Sequence, residues 1–208
     1  MTERITEDFV RSHFKSDPII GQVVLEEQKS TRDRIKDLFT ASSKNATGKA
    51  GYPEFIVSFP GKPNLLLIVE CKKDKAHHES AERDKPKTYA VDGVLHYIHH
   101  AKSVDADLAV IGIAVSGLDA DHLAISTFYS PPGEPICSET VDKSLLSIQS
   151  YLRIAENAQF AKDLSDVHIQ QKAVEYNDIL HRYEIPENER CTFISAALGS
   201  GLIARRAR

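Results

Sequence analysis

The sequence predicts an α/β fold: a mixed central sheet with flanking helices, followed by a helical C-terminal segment. Three observations carry this. Residues 64–72 (Asn-Leu-Leu-Leu-Ile-Val-Glu-Cys-Lys) hold five apolar residues in a row, the pattern of a strand buried on both faces. A second apolar run, residues 53–59, precedes it across Pro60-Gly61-Lys62-Pro63-Asn64, which is turn chemistry and makes the pair a hairpin. Residues 89–101 then show helical apolar spacing through Val91, Leu95 and Ile98, and residues 107–116 return to an unbroken apolar run. Strand, helix and strand in that order imply a crossover, so the strand at 107–116 is expected parallel to the one at 64–72.

The remaining elements follow in chain order. Residues 5–14 read as a short helix with Ile5, Phe9 and Val10 on one face, stopped by Asp17-Pro18. Residues 19–25 are apolar and β-branched, hence extended. Ser30 or Thr31 is placed to cap a second helix, whose stripe is Ile35, Leu38 and Phe39. Residues 40–50 are small, polar and cationic, a loop just ahead of Glu54. Residues 73–85 are densely charged with no apolar face, which reads as a loop or exposed helix that is mobile without a ligand. Residues 122–129 alternate partly, as an outer strand does, and end at Ser130-Pro131-Pro132-Gly133. Beyond it, Val141, Leu145, Ile148, Leu152 and Ala155 share a helical face, and a further helix is expected from about Val167. The division expected is a domain at 1–133 and a helical arm or connector at 138–208, leading to a further downstream module.

The composition sets bounds. The chain has 208 residues, 41% hydrophobic and 27% charged, enough for one domain with a sizeable core and an appendage. No apolar run approaches a membrane span, and the first residues lack a signal peptide pattern. Cys71, Cys137 and Cys191 lie far apart with no paired spacing, which argues against zinc and against a disulfide framework and favours the cytoplasm. The net charge is −4, divided as +2 over residues 1–102 and −6 over residues 103–208. Any phosphate backbone is therefore met by the first half, and weakly.

The residues that carry chemistry sit at the end of the central run. Side chains alternate along a strand, so Glu70 and Lys72 share one side and Cys71 takes the other. The hairpin brings Glu54, which opens the preceding strand after Pro53, towards them. Read alone, Glu-x-Lys is an ion pair at a strand end. Here it terminates a buried run, a Pro-Glu strand precedes it, and a helix and a buried strand follow.

Pro53-Glu54 followed by Glu70-Cys71-Lys72 resembles the PD-(D/E)xK nuclease superfamily, with Glu in place of the usual Asp. The strings Gly51-Tyr52-Pro53-Glu54-Phe55-Ile56, Asp84-Lys85-Pro86-Lys87-Thr88-Tyr89 and Glu26-Glu27-Gln28-Lys29-Ser30 extend the resemblance. It covers residues 20–130 and points to the N-terminal nuclease domain of methylase-containing restriction-modification enzymes. The resemblance implies a restriction-endonuclease-like core and a DNA endonuclease dependent on Mg2+, for which Mn2+ substitutes.

It also implies the roles. Glu54 and Glu70 hold the ion, with the Cys71 backbone carbonyl as a third oxygen. Lys72 orients or deprotonates the attacking water. An acidic residue on an early helix assists in such enzymes; Glu27 is the choice here and Glu26 the second. Lys44 and Lys49 in the loop at 40–50 can reach phosphates, or are incidental lysines of a solvated loop. Where relatives place a Gln one turn before a Tyr, this chain has Gly93 and Tyr97, so Tyr97 reads as a half-buried core tyrosine. His77 and His78, being adjacent, point apart and read as surface histidines. The partners implied are double-stranded DNA and an adjoining methylase or specificity module, with no membrane. The alternative is a catalytically inactive nuclease-like module for DNA binding or assembly with a DNA methylase.

Overall fold

The computed structural model describes residues 4–44, 48–134, 137–140, 143–163, 174, 176–183, 185–186 and 189–190. Contacts divide the chain into a unit from Met1 to Glu156 and a second from Asn157 to Arg208. In the second unit residues 176–182 are helical; the helix expected from Val167 starts outside the described residues, as do Val141 and most of the C-terminal tail.

The first unit is built on a six-stranded sheet in sequence order. The strands are β1 (Val24–Glu27), β2 (Phe55–Phe59), β3 (Lys62–Lys72), β4 (Ala109–Ser116), β5 (Ala124–Ser130) and β6 (Ser138–Glu139). Neighbours are antiparallel except β3 and β4, which run parallel from Leu65↔Ala109 to Lys72↔Ser116. The helix α3 (Ala90–Val104) makes that crossover, as its apolar spacing requires. The other helices are α1 (Arg4–Lys15), α2 (Asp33–Leu38) and α4 (Ile148–Asp163).

One face of the sheet packs under α2 and α3. Ile56, Leu66, Ile68, Val110 and Phe128 meet Ile35, Phe39, Val91, Val94 and Ile98 in a single buried cluster. The approach is close. A β-carbon at Gly112 would lie 2.4 Å from Val94 Cγ1 and 2.6 Å from Ile98 Cδ1, so only glycine lets α3 lie this low on β4. At its other end α3 is fastened by Lys102. The buried ammonium donates to Ala106 O (2.6 Å), Leu108 O (2.9 Å) and Pro131 O (2.7 Å). Those bonds offset the cost of taking its charge out of water. Residues of opposite parity on β3, among them Leu67, Val69 and Cys71, face the other side of the sheet. α1 and α4 are tied together by Asp17 Oδ2, which accepts the Ile148 amide at 2.6 Å.

Several elements differ from expectation. The buried positions of α1 are Thr6, Val10 and Phe14, one step round from the face of Ile5 and Phe9. Neither Ser30 nor Thr31 caps α2; Arg32 stands at its N-cap without a side-chain bond. Both hydroxyls donate to the charged Glu26 carboxylate, at 2.7 and 3.1 Å, and Ser30 Oγ accepts the amide of Arg32, the N-cap residue itself, at 3.0 Å rather than an amide inside the helix. The hairpin turn is tighter than the five residues expected. It is Pro60-Gly61, and β3 already begins at Lys62. β5 is not an outer strand, since the short β6 pairs beyond it. Compact packing also runs past residue 133: Ile148 and Tyr151 are fully buried within the first unit.

Candidate active site

β3 delivers Glu70 and Lys72 to the face that α3 covers. Glu70 is completely buried and Lys72 nearly so. A carboxylate in that position is costly unless its charge is met. Lys72 Nζ donates to Glu70 Oε1 at 3.0 Å and to the Cys71 carbonyl at 3.2 Å. A second ammonium, Lys44 from the loop after α2, makes an ion pair with the same Oε1. It lies over the Tyr97 ring, 5.1 Å from the centroid. Glu70 Oε2 is buried with no hydrogen-bond partner. The carboxylate is thus crowded with cations on one oxygen and bare on the other.

Glu54 stands immediately before β2, half-buried, and its carbonyl accepts the Gln28 amide at 3.0 Å. Burial pushes its carboxyl up to about 7, and the negative charge of Glu70 adds to the rise. The charge of Glu70 thus bears on Glu54, the residue expected beside it across the hairpin. Glu7 of α1 contributes to the same rise. Glu54, just ahead of β2, thus lies in the field of one carboxylate from β3 and one from α1.

Glu7 is the acid that the sequence reading missed. Extending the buried positions Val10 and Phe14 back by one turn lands on Glu7, a carboxylate at a buried-stripe position. Glu27, the residue chosen, lies on β1 rather than on a helix. Its two oxygens accept from Arg11 Nε and Nη2, both at 2.8 Å, so its charge is already matched. Glu26 is engaged by Ser30 and Thr31. Lys49 is exposed, while Lys44 alone of the two expected loop lysines reaches the carboxylates.

The segment following Lys72 is held in place. Asp92 accepts from the Ser80 amide (3.1 Å) and the Lys85 amide (2.8 Å), and pairs with the Ser80 hydroxyl. His78 departs from the expected surface position. Its Nδ1 lies 3.1 Å from Ser116 Oγ and its Nε2 3.2 Å from Ser126 Oγ, and burial lowers its pKa. His77 is exposed and lies against the Tyr89 ring. Tyr97 is more buried than half, and its hydroxyl donates to Tyr52 O at 2.7 Å. The Cys71 thiol is buried and pushed well above its ordinary pKa by burial, so it stays protonated and unreactive.

Among the described residues no three His, Cys, Asp or Glu side chains are arranged to enclose a metal ion. The donor chemistry nevertheless fits a hard divalent cation. Every candidate donor is oxygen, Glu70 Oε2 is buried and bare, and the negative charge of Glu70 bears on Glu54. A cation held by two carboxylates and water needs no third acidic ligand.

No protein-family model matches the chain. No curated protein matches it. No solved structure matches it. Among the described residues no helix is long and apolar enough to cross a membrane.

Proposed function

We propose that this chain is a metal-dependent DNA endonuclease domain of the PD-(D/E)xK kind, hydrolysing phosphodiester bonds as the cleavage module of a restriction-modification system. The observation that carries the reading is Glu70: a fully buried carboxylate at a strand end, with Lys72 on one oxygen, nothing on the other, and Glu54 within its field. Mg2+, or Mn2+ in its place, would supply the positive charge that draws a proton from bound water and offsets charge on the phosphate.

The protein residues divide the remaining work. Glu54 and Glu70 would hold the ion, with the Cys71 carbonyl as a further neutral oxygen donor. Lys72 is fixed by Glu70 and the Cys71 carbonyl, so its ammonium is aimed before any substrate arrives. From there it orients the attacking water and steadies the charge that develops on the phosphate. Glu7 adds negative charge at Glu54. Double-stranded DNA is the substrate. With only +2 on residues 1–102, most of the affinity and the sequence reading belong to an adjoining methylase or specificity module in the same cytoplasmic assembly.

The second reading is a catalytically inactive nuclease-like module for DNA binding or assembly. Lys44 favours it, because Lys44 and Lys72 together neutralise Glu70 without an ion. Nicking of supercoiled plasmid in Mg2+ and Mn2+ decides between the two. The nuclease reading requires metal-dependent nicking that Glu70→Ala abolishes. No nicking, together with no stabilisation of the fold by Mn2+, establishes the inactive module.

A further inference from the structure

Two ammonium groups share Glu70 Oε1, and they are not equivalent. Lys72 Nζ is anchored a second time by the Cys71 carbonyl, and its side chain is 7% exposed. Lys44 arrives from a loop, and its side chain is 16% exposed. The loop's base is secured independently of that ammonium. Ser43 donates its amide to Lys49 O at 3.0 Å, Ser42 Oγ donates to Gly51 O at 2.6 Å, and His96 Nε2 lies 2.9 Å from Ser42 O. A β-carbon at Gly51 would lie 2.8 Å from Ser42 O, so the two arms of the loop touch. The Lys44 side chain can therefore leave without the loop coming apart.

We propose that Lys44 is a built-in counter-ion, holding the Glu70 carboxylate ready and displaced when a divalent cation binds. This rests on the metal-site reading of Glu54 and Glu70, but not on DNA cleavage. The physical reason is repulsion. Two ammoniums crowd one oxygen while the other oxygen is bare, and adding a divalent charge makes the cluster of cations untenable. The most weakly fastened cation leaves, and that is Lys44. Its departure uncovers the Tyr97 ring face on which it lies. In the free protein Lys44 adds a second positive charge beside that of Lys72 on the buried carboxylate, so the site can be assembled before metal arrives. The cost is a lower affinity for the cation, since each binding event must expel a charge.

The test uses the full chain and has two arms. In the first, Mn2+ binding is titrated by electron paramagnetic resonance in the wild type and in Lys44→Met. The variant is expected to bind Mn2+ several-fold more tightly; equal or weaker binding, or no binding in either protein, overturns the proposal. In the second, an amine-acylating reagent is applied to the wild type with and without Mg2+, and modification of Lys44 is read by mass spectrometry. Lys44 is expected to become several-fold more reactive in Mg2+ while exposed Lys49 does not change. An unchanged Lys44 rate overturns the proposal even if the variant fails to fold. Plasmid nicking, measured separately, reports on the nuclease reading: tighter Mn2+ binding without nicking removes the nuclease and leaves the counter-ion.

Discussion

Gly93 of α3 lies directly against the Glu70 side chain. A β-carbon there would stand 2.9 Å from Glu70 Cγ, 3.0 Å from Glu70 Cδ and 3.1 Å from the Pro86 carbonyl. Glycine inside a helix costs about 1 kcal/mol relative to alanine, so helix propensity alone would favour Gly93→Ala. The contact reverses the sign, because the atoms in the way belong to a fully buried carboxylate and to backbone. Gly93→Ala is expected to destabilise the chain by about 1–3 kcal/mol in chemical denaturation, the usual cost of overpacking. It should also weaken Mn2+ binding, since the displaced group is Glu70.

Lys72→Met should remove cleavage by two orders of magnitude or more, roughly the loss expected of a general acid–base group. Breaking a buried ion pair ordinarily costs about 3–5 kcal/mol. Here Lys44 still faces the same Glu70 oxygen, so a smaller loss of about 1–2 kcal/mol is expected for Lys72→Met. The double change Lys44→Met and Lys72→Met leaves Glu70 uncompensated and should cost more than the two single changes together. Denaturant unfolding of the four proteins checks this.

The raised carboxyl of Glu54 has a consequence for stability. Its ordinary value is 4.5 and its folded value about 7. Between these the folded chain keeps the proton that the unfolded chain has released, so folding takes up a proton and stability falls as pH rises. Below 4.5 the carboxyl is protonated in both states, and above about 7 it is ionised in both, so the slope is confined to that window. Without metal, the wild type should lose about 2 kcal/mol relative to Glu54→Gln across the window, allowing for solvent at a half-buried group. Urea titrations at pH 4.5, 5.5, 6.5 and 7.5 measure the difference. Saturating Mg2+ should abolish the slope.

Glu7 and Glu27 can be told apart by substitution. Glu7→Gln is expected to lower cleavage roughly 10- to 100-fold, the scale of a group supporting a metal site. Glu27→Gln should change cleavage less than a few-fold. It should cost at most about 1 kcal/mol, because its pair with Arg11 is partly exposed. A reversal of the two effects in the nicking assay would restore Glu27 to the site.

The central elements were legible because burial on both faces leaves a plain signature. The run Leu65–Val69, the helical spacing of Val91, Leu95 and Ile98, and the run into Ser116 each mark an element that the structure contains. The parallel pairing of β3 and β4 followed from their order. Where polar side chains compete for one another, the sequence was less readable. Ser30 and Thr31 look like helix caps until Glu26 is seen to gather them. His78 looks like a surface residue until the Ser116 and Ser126 hydroxyls are found on either side of it. Glu7 was overlooked for a related reason. It approaches Glu54 across the chain, and neighbouring residues in the sequence do not record that approach.

The sheet joins an antiparallel hairpin with a two-residue turn, β2 and β3, to a parallel partner that only a helical crossover can deliver. Loop closure favours the local pairing, so the hairpin can form early, with β4 docking later in the search. Glu54 and Glu70 would then come together while water still surrounds them. Full desolvation of Glu70 must wait for α3 to settle over it with Gly93 foremost. Folding kinetics should therefore separate the two events: substitutions in the hairpin slow refolding, while Gly93→Ala chiefly hastens unfolding.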